Sequence, residues 1–252
     1  APMNPPRPAT PAPAPATAPS PAPARPAVLP APSMMCADFL ALGAELDCLA
    51  AHGVRLLHQD VMDGCFVPNL ALGADLCRAM ASRGDFAHDV HLMVGSPEDF
   101  VEKFATLPGA RIAFHPETTR HPVALIERIR ALGATPAVAV SPQVPVRSLE
   151  HLLPLVGQVT VMTVTPGFAG QRLLPWCLPK IAETRAWADA HNPALDIAAD
   201  GNVSWENIPA ILAAGANVLV LGTSSLFSKT LSRTEAFARL ASILPIPYKR
   251  PA

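Results

Sequence analysis

From residue 28 onward, short apolar runs alternate with longer stretches in which apolar residues recur at helical spacing. The runs at 28–35, 55–61, 86–94, 111–114, 136–140, 158–164, 195–199 and 217–221 have the length and the Val, Leu, Ile and Ala content of buried strands. Between and after them the pattern predicts helices over 39–52, 74–82, 96–106, 122–132, 146–153, 178–191, 204–214 and 233–243. In the first of these, Leu40, Leu42, Leu46 and Leu49 fall near helical spacing. Asp38, Ser96 and Ser204 stand where helix caps are expected, and Pro97 falls in a first turn.

Eight strand–helix units in succession demand parallel strands joined by right-handed crossovers. Eight such units in roughly 220 residues predict an α/β protein of the (β/α)8 TIM-barrel type, whose usual size is about 250 residues. A doubly wound open sheet is the alternative topology. The choice bears on chemistry, because a barrel gathers its active site at the carboxyl ends of its strands. The expected organisation is a single catalytic domain over 28–246, with a short tail at 247–252 and an N-terminal arm over 1–27. Proline occurs 12 times in residues 1–30, interleaved mostly with alanine. Such a segment lacks apolar bulk and backbone donors for a ladder, so it is expected to be a disordered or polyproline-type arm. It has no apolar run of the length a signal peptide needs.

Composition narrows the function classes. Half of the chain is apolar, 15% is charged and the formal net charge is −1. That balance gives no basic footprint for nucleic acid, and no apolar run reaches the length of a membrane span. The five cysteines, Cys36, Cys48, Cys65, Cys77 and Cys177, include no Cys-x-x-Cys pair. Reduced thiols in a cytoplasmic protein are the simplest reading.

The unusual residues fall at the predicted strand ends. Ser33 ends the first strand, His58 and Asp60 the second, and His91 the third. Met162 lies late in the sixth, followed by the Gly-rich segment Gly167-Phe168-Ala169-Gly170. Asp200-Gly201-Asn202 follows the seventh and Gly222-Thr223-Ser224 the eighth. His58 and Asp60 are two residues apart and so point to the same side of a strand. A lone histidine is most often a hydrogen-bonded structural residue. Two imidazoles and two carboxylates brought to one barrel end form a plausible site for one divalent transition metal. The glycines after the last three strands permit close backbone approach to an anion, and loops at that end of barrels often hold phosphate, although each alone also suits a tight turn. Met35, Met62, Met93 and Met162 serve either as core filler or as a dry cap over a reacting carbon. Cys36 and Cys65 read as packing. The combination points to a metal-dependent enzyme acting on a small phosphorylated substrate. A Schiff-base aldolase would need a lysine at a strand end, and Lys103, Lys180 and Lys229 all fall elsewhere.

At these residues the chain resembles the ribulose-phosphate 3-epimerase family. The resemblance runs from about residue 28 to 227 through Pro32-Ser33, HQDVMDGCFVPN from His58, HLMV from His91, FHPE from Phe114, VMTVTPGFAGQ from Val161, Asp200-Gly201 and GTSSLF from Gly222. PSMMCAD, FVPNLALG, FHPET and VLGTSSLF look closer to the branch acting on D-allulose 6-phosphate than to the branch acting on D-ribulose 5-phosphate. The resemblance implies His58, Asp60, His91 and Asp200 as ligands of one divalent metal ion (Zn, Fe, Co or Mn), with Asp60 and Asp200 also the acid/base pair. It implies substrate and phosphate contacts from Ser33, His91, Gly167, Phe168, Ala169, Gly170, Asp200, Gly201, Asn202, Gly222, Thr223 and Ser224. Met62, Met93 and Met162 match the methionines over carbon 3. No organic cofactor is implied, and the family implies a homo-oligomer. Three departures stand out: Cys65 where the family has His, Ala198 where it has Glu, and Asn202 in place of Gly or Ser.

The implied reaction is inversion of carbon 3 of a ketose phosphate through an enediolate. One carboxylate removes the proton from one face, and the other returns one to the opposite face. The expected substrate is D-allulose 6-phosphate, interconverted with D-fructose 6-phosphate. The alternative is D-ribulose 5-phosphate, interconverted with D-xylulose 5-phosphate. A non-catalytic phosphosugar-binding barrel is the reading from a different class, kept open by Cys65 and Ala198.

Overall fold

The computed structural model describes residues 26–244. All but the last two residues of the expected arm over 1–27, and the whole expected tail over 247–252, therefore lie outside the described residues. The strands are β1 (Leu29–Pro32), β2 (Leu56–Asp63), β3 (Leu70–Ala71), β4 (Ala87–Met93), β5 (Arg111–Phe114), β6 (Thr135–Val140), β7 (Gln158–Met162), β8 (Asp196–Asp200) and β9 (Val218–Leu221). They pair in the order β1-β9-β8-β7-β6-β5-β4-β2-β3, parallel throughout except that β3 returns antiparallel along the end of β2. A parallel bridge between Ser33 and His58 joins β1 to β2 and closes the ring of eight. The architecture is the expected TIM barrel, and its seam runs through two of the predicted site residues.

The α-helices are α1 (Leu42–Ala51), α2 (Ala74–Ala81), α3 (Val101–Phe104), α4 (Pro122–Ala131), α5 (Cys177–His191), α6 (Ile208–Ala214) and α7 (Arg233–Ile243). The last matches its expected bounds, and Ser232 and Glu235 close a reciprocal capping box at its start. Two expected helices are altered by proline. In place of a helix over 146–153 the chain makes two 3-10 turns, Val146–Leu149 and Leu153–Leu155. Pro154 has no N–H to give, and its ring would collide with the carbonyl of Glu150 in a continuous helix. The helix expected from residue 204 starts only at Ile208, which places Pro209 in the tolerated first turn. Asp38 caps a 3-10 turn by accepting from the Leu40 N–H. Ser96 makes no capping bond, and Ser204 accepts only from Asn207 ahead of the helix.

Side chains alternate along each strand between the helix layer and the barrel interior. On β2, Leu57 and Val61 join the large core cluster that fills the space between strands and helices, with Phe86, Phe104 and Phe114 fully buried in it. Truncating one of these phenylalanines to alanine costs about 3–5 kcal/mol by loss of transfer energy and cavity formation. The interior residues form two separate apolar layers. Ala31, Leu56, Ala198 and Val218 plug the lower barrel. Met62, Val67 and Met93 cap the upper end. His58 and Asp60 lie on β2 between Leu56 of the plug and Met62 of the cap, so the polar chemistry occupies a level between two dry ones.

Candidate active site

β2 supplies His58 and Asp60, β4 supplies His91, and Asp200 ends β8. Around the ring, β1 and β9 separate β2 from β8, so the two carboxylates arrive from well-separated strands. One ligand atom from each of the four residues lies within 4.8 Å of all the others. Nε2 of His58 is 3.2 Å from Asp60 Oδ1 and 3.5 Å from Asp200 Oδ2. Nδ1 of His91 is 3.4 Å from Asp60 Oδ1 and 3.2 Å from Asp200 Oδ2. Burial pushes the His58 imidazole down, but Asp60, Asp200 and Asp89 outweigh it and hold it well above the ordinary histidine range. His91 is likewise raised, against its burial, by Asp200 and Asp60. Burial pushes the carboxyls of Asp60 and Asp200 up, and the two imidazoles hold both below the ordinary range.

The outer nitrogens of the two imidazoles have partners of their own. Nδ1 of His58 meets Asp89 Oδ2 at 2.8 Å, and Nε2 of His91 meets Nε2 of His115 at 2.9 Å. The inner nitrogens are left facing carboxylates, and Nδ1 of His91 is buried with no hydrogen-bond partner. Two imidazole nitrogens and two carboxylate oxygens converging this way offer no donor group of their own other than a proton. A divalent cation fits such a donor set.

Above this cluster opens a cleft at the carboxyl ends of the strands. Asp60 and Asp200 form part of its floor. Ser33, Gly167, Phe168, Ala169, Gly170, Gly201, Asn202, Gly222, Thr223 and Ser224 line it, together with Met62, Met93 and Met162. His58 and His91 do not line it; they lie beneath, behind the two carboxylates. Met35, Cys36, Thr165, Pro166 and Gln171 also face the cleft. Burial, with Asp60 nearby, pushes the Cys36 thiol up, so it stays protonated.

The loops around the cleft are tied to one another. Asn69, just before β3, donates its side-chain amide to the Gly167 carbonyl at 2.7 Å. Gln171 donates to the carbonyls of Thr165 and Phe168, at 2.6 and 2.9 Å, bracing the Gly-rich turn. Gly201 has φ +118°, and a Cβ there would sit 2.5 Å from Val164 Cγ2 and 2.8 Å from the Val164 nitrogen, so only glycine fits. Asn202 has φ 47° and is the one non-glycine residue with positive φ among the described residues. Its amide donates to the Gln171 carbonyl at 2.5 Å, and its Oδ1 accepts from Asn207 at 2.7 Å. The side chain that departs from the expected Gly or Ser thus anchors its own unusual backbone. Cys65 is exposed and outside the cleft. Ala198 is fully buried in the lower plug.

The sequence profile of the ribulose-phosphate 3-epimerase family matches residues 30–227. This chain belongs to that family. Membership makes it an isomerase of the carbohydrate-phosphate epimerase kind. Ribulose-phosphate 3-epimerase of Treponema pallidum is 41% identical over 201 residues, covering 80% of this chain and 92% of that protein. The Bacillus subtilis protein of the same name is 38% identical, covering 77% of this chain and 90% of its own length. Among solved structures, a tryptophan synthase alpha-subunit from Pyrococcus furiosus superposes with a TM-score of 0.61 at 12% identity, covering 86% of this chain and 98% of that one. That likeness speaks for the barrel alone.

Four residues around the family's site carry no role in the sequence reading. Asp89, His115, Glu117 and Ser141 all touch the cluster or its partners. The FHPE segment gave His115 and Glu117 a place in the resemblance but no task. A polar residue on or just after a strand looks the same in sequence whether it supports a site or the core.

Proposed function

We propose that this chain is a ribulose-phosphate 3-epimerase, interconverting D-ribulose 5-phosphate and D-xylulose 5-phosphate. The observation that carries this reading is the placement of Asp60 and Asp200, brought from separated strands onto one cleft floor over a pair of buried imidazoles. The relatives from Treponema and Bacillus, both named for the pentulose phosphate, support that substrate over the hexulose favoured by motif details. D-Allulose 6-phosphate becomes the second substrate to test.

In this reading His58, Asp60, His91 and Asp200 hold one divalent metal, zinc, iron(II), cobalt or manganese. When bound there, such an ion would supply positive charge to the oxygens on which negative charge develops. Asp60 and Asp200 remove and return that proton on opposite faces of carbon 3, exchanging roles with the direction of reaction. Met62, Met93 and Met162 exclude water from the reacting carbon. The phosphate is gripped by the loops containing Gly167–Gly170, Gly201–Asn202 and Gly222–Ser224, which aligns the far end of the substrate. Ser33 donates to Asp60 Oδ2 at 2.7 Å and orients that carboxylate. His91 acts as a ligand from beneath the floor, not as a substrate contact.

The five cysteines are free thiols, and no helix among the described residues is long and apolar enough to cross a membrane. A relative from rice carries the name of a cytoplasmic isoform. These support a cytoplasmic setting, and the family resemblance supports a homo-oligomer.

The test is a kinetic comparison of metal-replete protein on the two ketose phosphates in deuterated water. A higher kcat/KM on D-ribulose 5-phosphate, with deuterium appearing at carbon 3, is the expected outcome. Preference for the hexulose would return the assignment to the other branch. Turnover of neither would leave a binding protein.

A further inference from the structure

One line of buried polar side chains runs away from the cluster toward solvent. Nε2 of His91 lies 2.9 Å from Nε2 of His115. Nδ1 of His115 lies 3.0 Å from Ser141 Oγ, and that hydroxyl donates to Glu117 Oε1 at 2.7 Å. His91, His115 and Ser141 are fully buried, and the Glu117 side chain is partly exposed at the outer end. Lys180, on α5, donates to the Ser141 carbonyl at 2.6 Å and fixes the strand end that carries the hydroxyl.

Hydrogen-bond chemistry allows this line one direction. A carboxylate can only accept, so Ser141 must spend its single proton on Glu117. Its oxygen then accepts, so His115 must carry its proton on Nδ1. The Nε2 of His115 is left with a lone pair, so the nitrogen 2.9 Å away must carry a proton, and that nitrogen is Nε2 of His91. A His91 protonated at Nε2 offers the Nδ1 lone pair to the point shared with His58, Asp60 and Asp200.

We infer that His115, Ser141 and Glu117 form a positioning relay, in which the Glu117 carboxylate fixes the tautomer of His91 and so aims Nδ1 at the metal position. This rests on the reading of the four-residue cluster as a metal site. The relay complements the opposite arrangement at His58, where Asp89 takes the Nδ1 proton and leaves Nε2 for the metal. Removing the Glu117 carboxylate frees the Ser141 hydroxyl to donate to His115. That moves the His115 proton to Nε2, where it opposes the His91 Nε2 proton and drives His91 toward the wrong tautomer. Removing the Ser141 hydroxyl leaves His115 Nδ1 only the longer contact to Glu117 Oε1, at 3.4 Å.

The experiment titrates Co²⁺ into metal-free full-length protein and follows visible absorption and the hyperfine-shifted N–H protons of the ligand histidines. Wild type is expected to bind one Co²⁺ and show two slowly exchanging ligand N–H signals. Ser141→Ala and Glu117→Ala are expected to bind about 10–100-fold more weakly, the usual range for loss of a ligand's supporting partner. They are also expected to lose one of the two N–H signals to solvent exchange, and Ser141→Thr to restore both properties. A role confined to packing would lower the melting temperature of the metal-free protein and leave the remaining signals unchanged. If Ser141→Ala does not fold, Glu117→Ala decides, because its side chain is partly exposed. Variants that fold, bind Co²⁺ within about twofold of wild type and keep both signals would overturn the relay while leaving the metal site standing. Failure of wild type to bind Co²⁺ would overturn the metal reading and the relay with it.

Discussion

Asp89 holds His58 from below. One of its oxygens takes the His58 Nδ1 proton at 2.8 Å, and the other accepts from Gln158 Nε2 at 2.7 Å. Both donors and the carboxylate are buried. Asp89→Ala therefore leaves His58 Nδ1 unpartnered and Gln158 Nε2 with only the longer bond to Thr160 Oγ1 at 3.3 Å, at a cost of about 1–3 kcal/mol each. The expected result is a loss of about 3 kcal/mol in urea unfolding, with weaker metal retention in the folded protein. A loss below about 1 kcal/mol would show that Asp89 is not the partner that orients His58.

Asp60→Asn and Asp200→Asn test the acid/base pair. Each keeps side-chain volume while removing a group that can accept a proton from carbon. Turnover in each should fall by at least about three orders of magnitude, with circular dichroism unchanged. The two variants should also fail in solvent exchange from opposite sides. Started from one epimer, one of them still washes deuterium into carbon 3 without inversion, and started from the other epimer the second one does. Near-normal turnover in either variant would end the two-base scheme.

Gly201 and Gly170 both have positive φ, but their surroundings differ. A Cβ at Gly201 would strike Val164 at 2.5 Å, whereas nothing lies within 4 Å of one at Gly170. Gly170→Ala is then expected to cost only the backbone strain, about 1 kcal/mol. Gly201→Ala must also displace Val164 and the loop that follows it, and should cost about 3 kcal/mol or more and raise KM. Thermal unfolding of the two variants side by side measures the difference. Equal shifts would mean that close approach to Val164 does not govern this turn.

Much of this arrangement was legible in the residues. The strand expected over 111–114 and the helix over 233–243 have their expected bounds, because clear signals end each pattern. The four converging ligand types could be placed because the barrel rule sends strand ends to one face. What could not be read was the detail of short segments and of depth within the barrel. β3 has only two residues and owes its pairing to the turn before it. The helix expected over 146–153 failed because Pro154 cannot extend a helix begun at Val146, which outweighs the apolar spacing. Whether His91 serves as a ligand, a substrate contact or both depends on depth along the strand, which no spacing records.

Gln59 and His88 form a polar pair outside the barrel interior, with Gln59 Nε2 2.9 Å from His88 Nδ1. Gln59 Oε1 and His88 Nε2 are buried without partners. Burial pushes the His88 imidazole down to about 4. The unfolded chain, with an ordinary histidine near 6.5, therefore binds the proton first as pH falls. Stability contributed by keeping His88 neutral is full above pH 6.5 and is lost progressively toward pH 4, by up to about 3 kcal/mol. The double variant Gln59→Leu, His88→Leu removes both unpartnered atoms together. It should be at least as stable at pH 7 and lose less stability between pH 6.5 and 4 in urea titrations. An unchanged pH profile would show that His88 is not the group responsible.

Ala198 is the departure that most invites reversal, since the family resemblance places a glutamate there. The surroundings of this position argue against a gain. Ala198 packs with Ala31, Leu56 and Val218 in a dry layer directly below Asp200. Arg111, on β5, is already bonded to Asp196 at 2.6 Å and to Gln158 at 2.8 Å. A glutamate at 198 would add four heavy atoms beyond Cβ, three of them a carboxyl group, to a filled layer without a free partner. Overpacking alone costs about 1–3 kcal/mol, and an unpaired buried carboxyl adds to that or is forced to stay protonated. Ala198→Glu is therefore expected to lower thermal stability and leave kcat/KM no better than in the native chain. Meanwhile Asp89, which reaches His58 from β4, already provides the carboxylate support that a glutamate on β8 would duplicate. A stable Ala198→Glu protein with raised activity would mean that the plug is looser than its packing indicates and that Asp89 alone does not suffice.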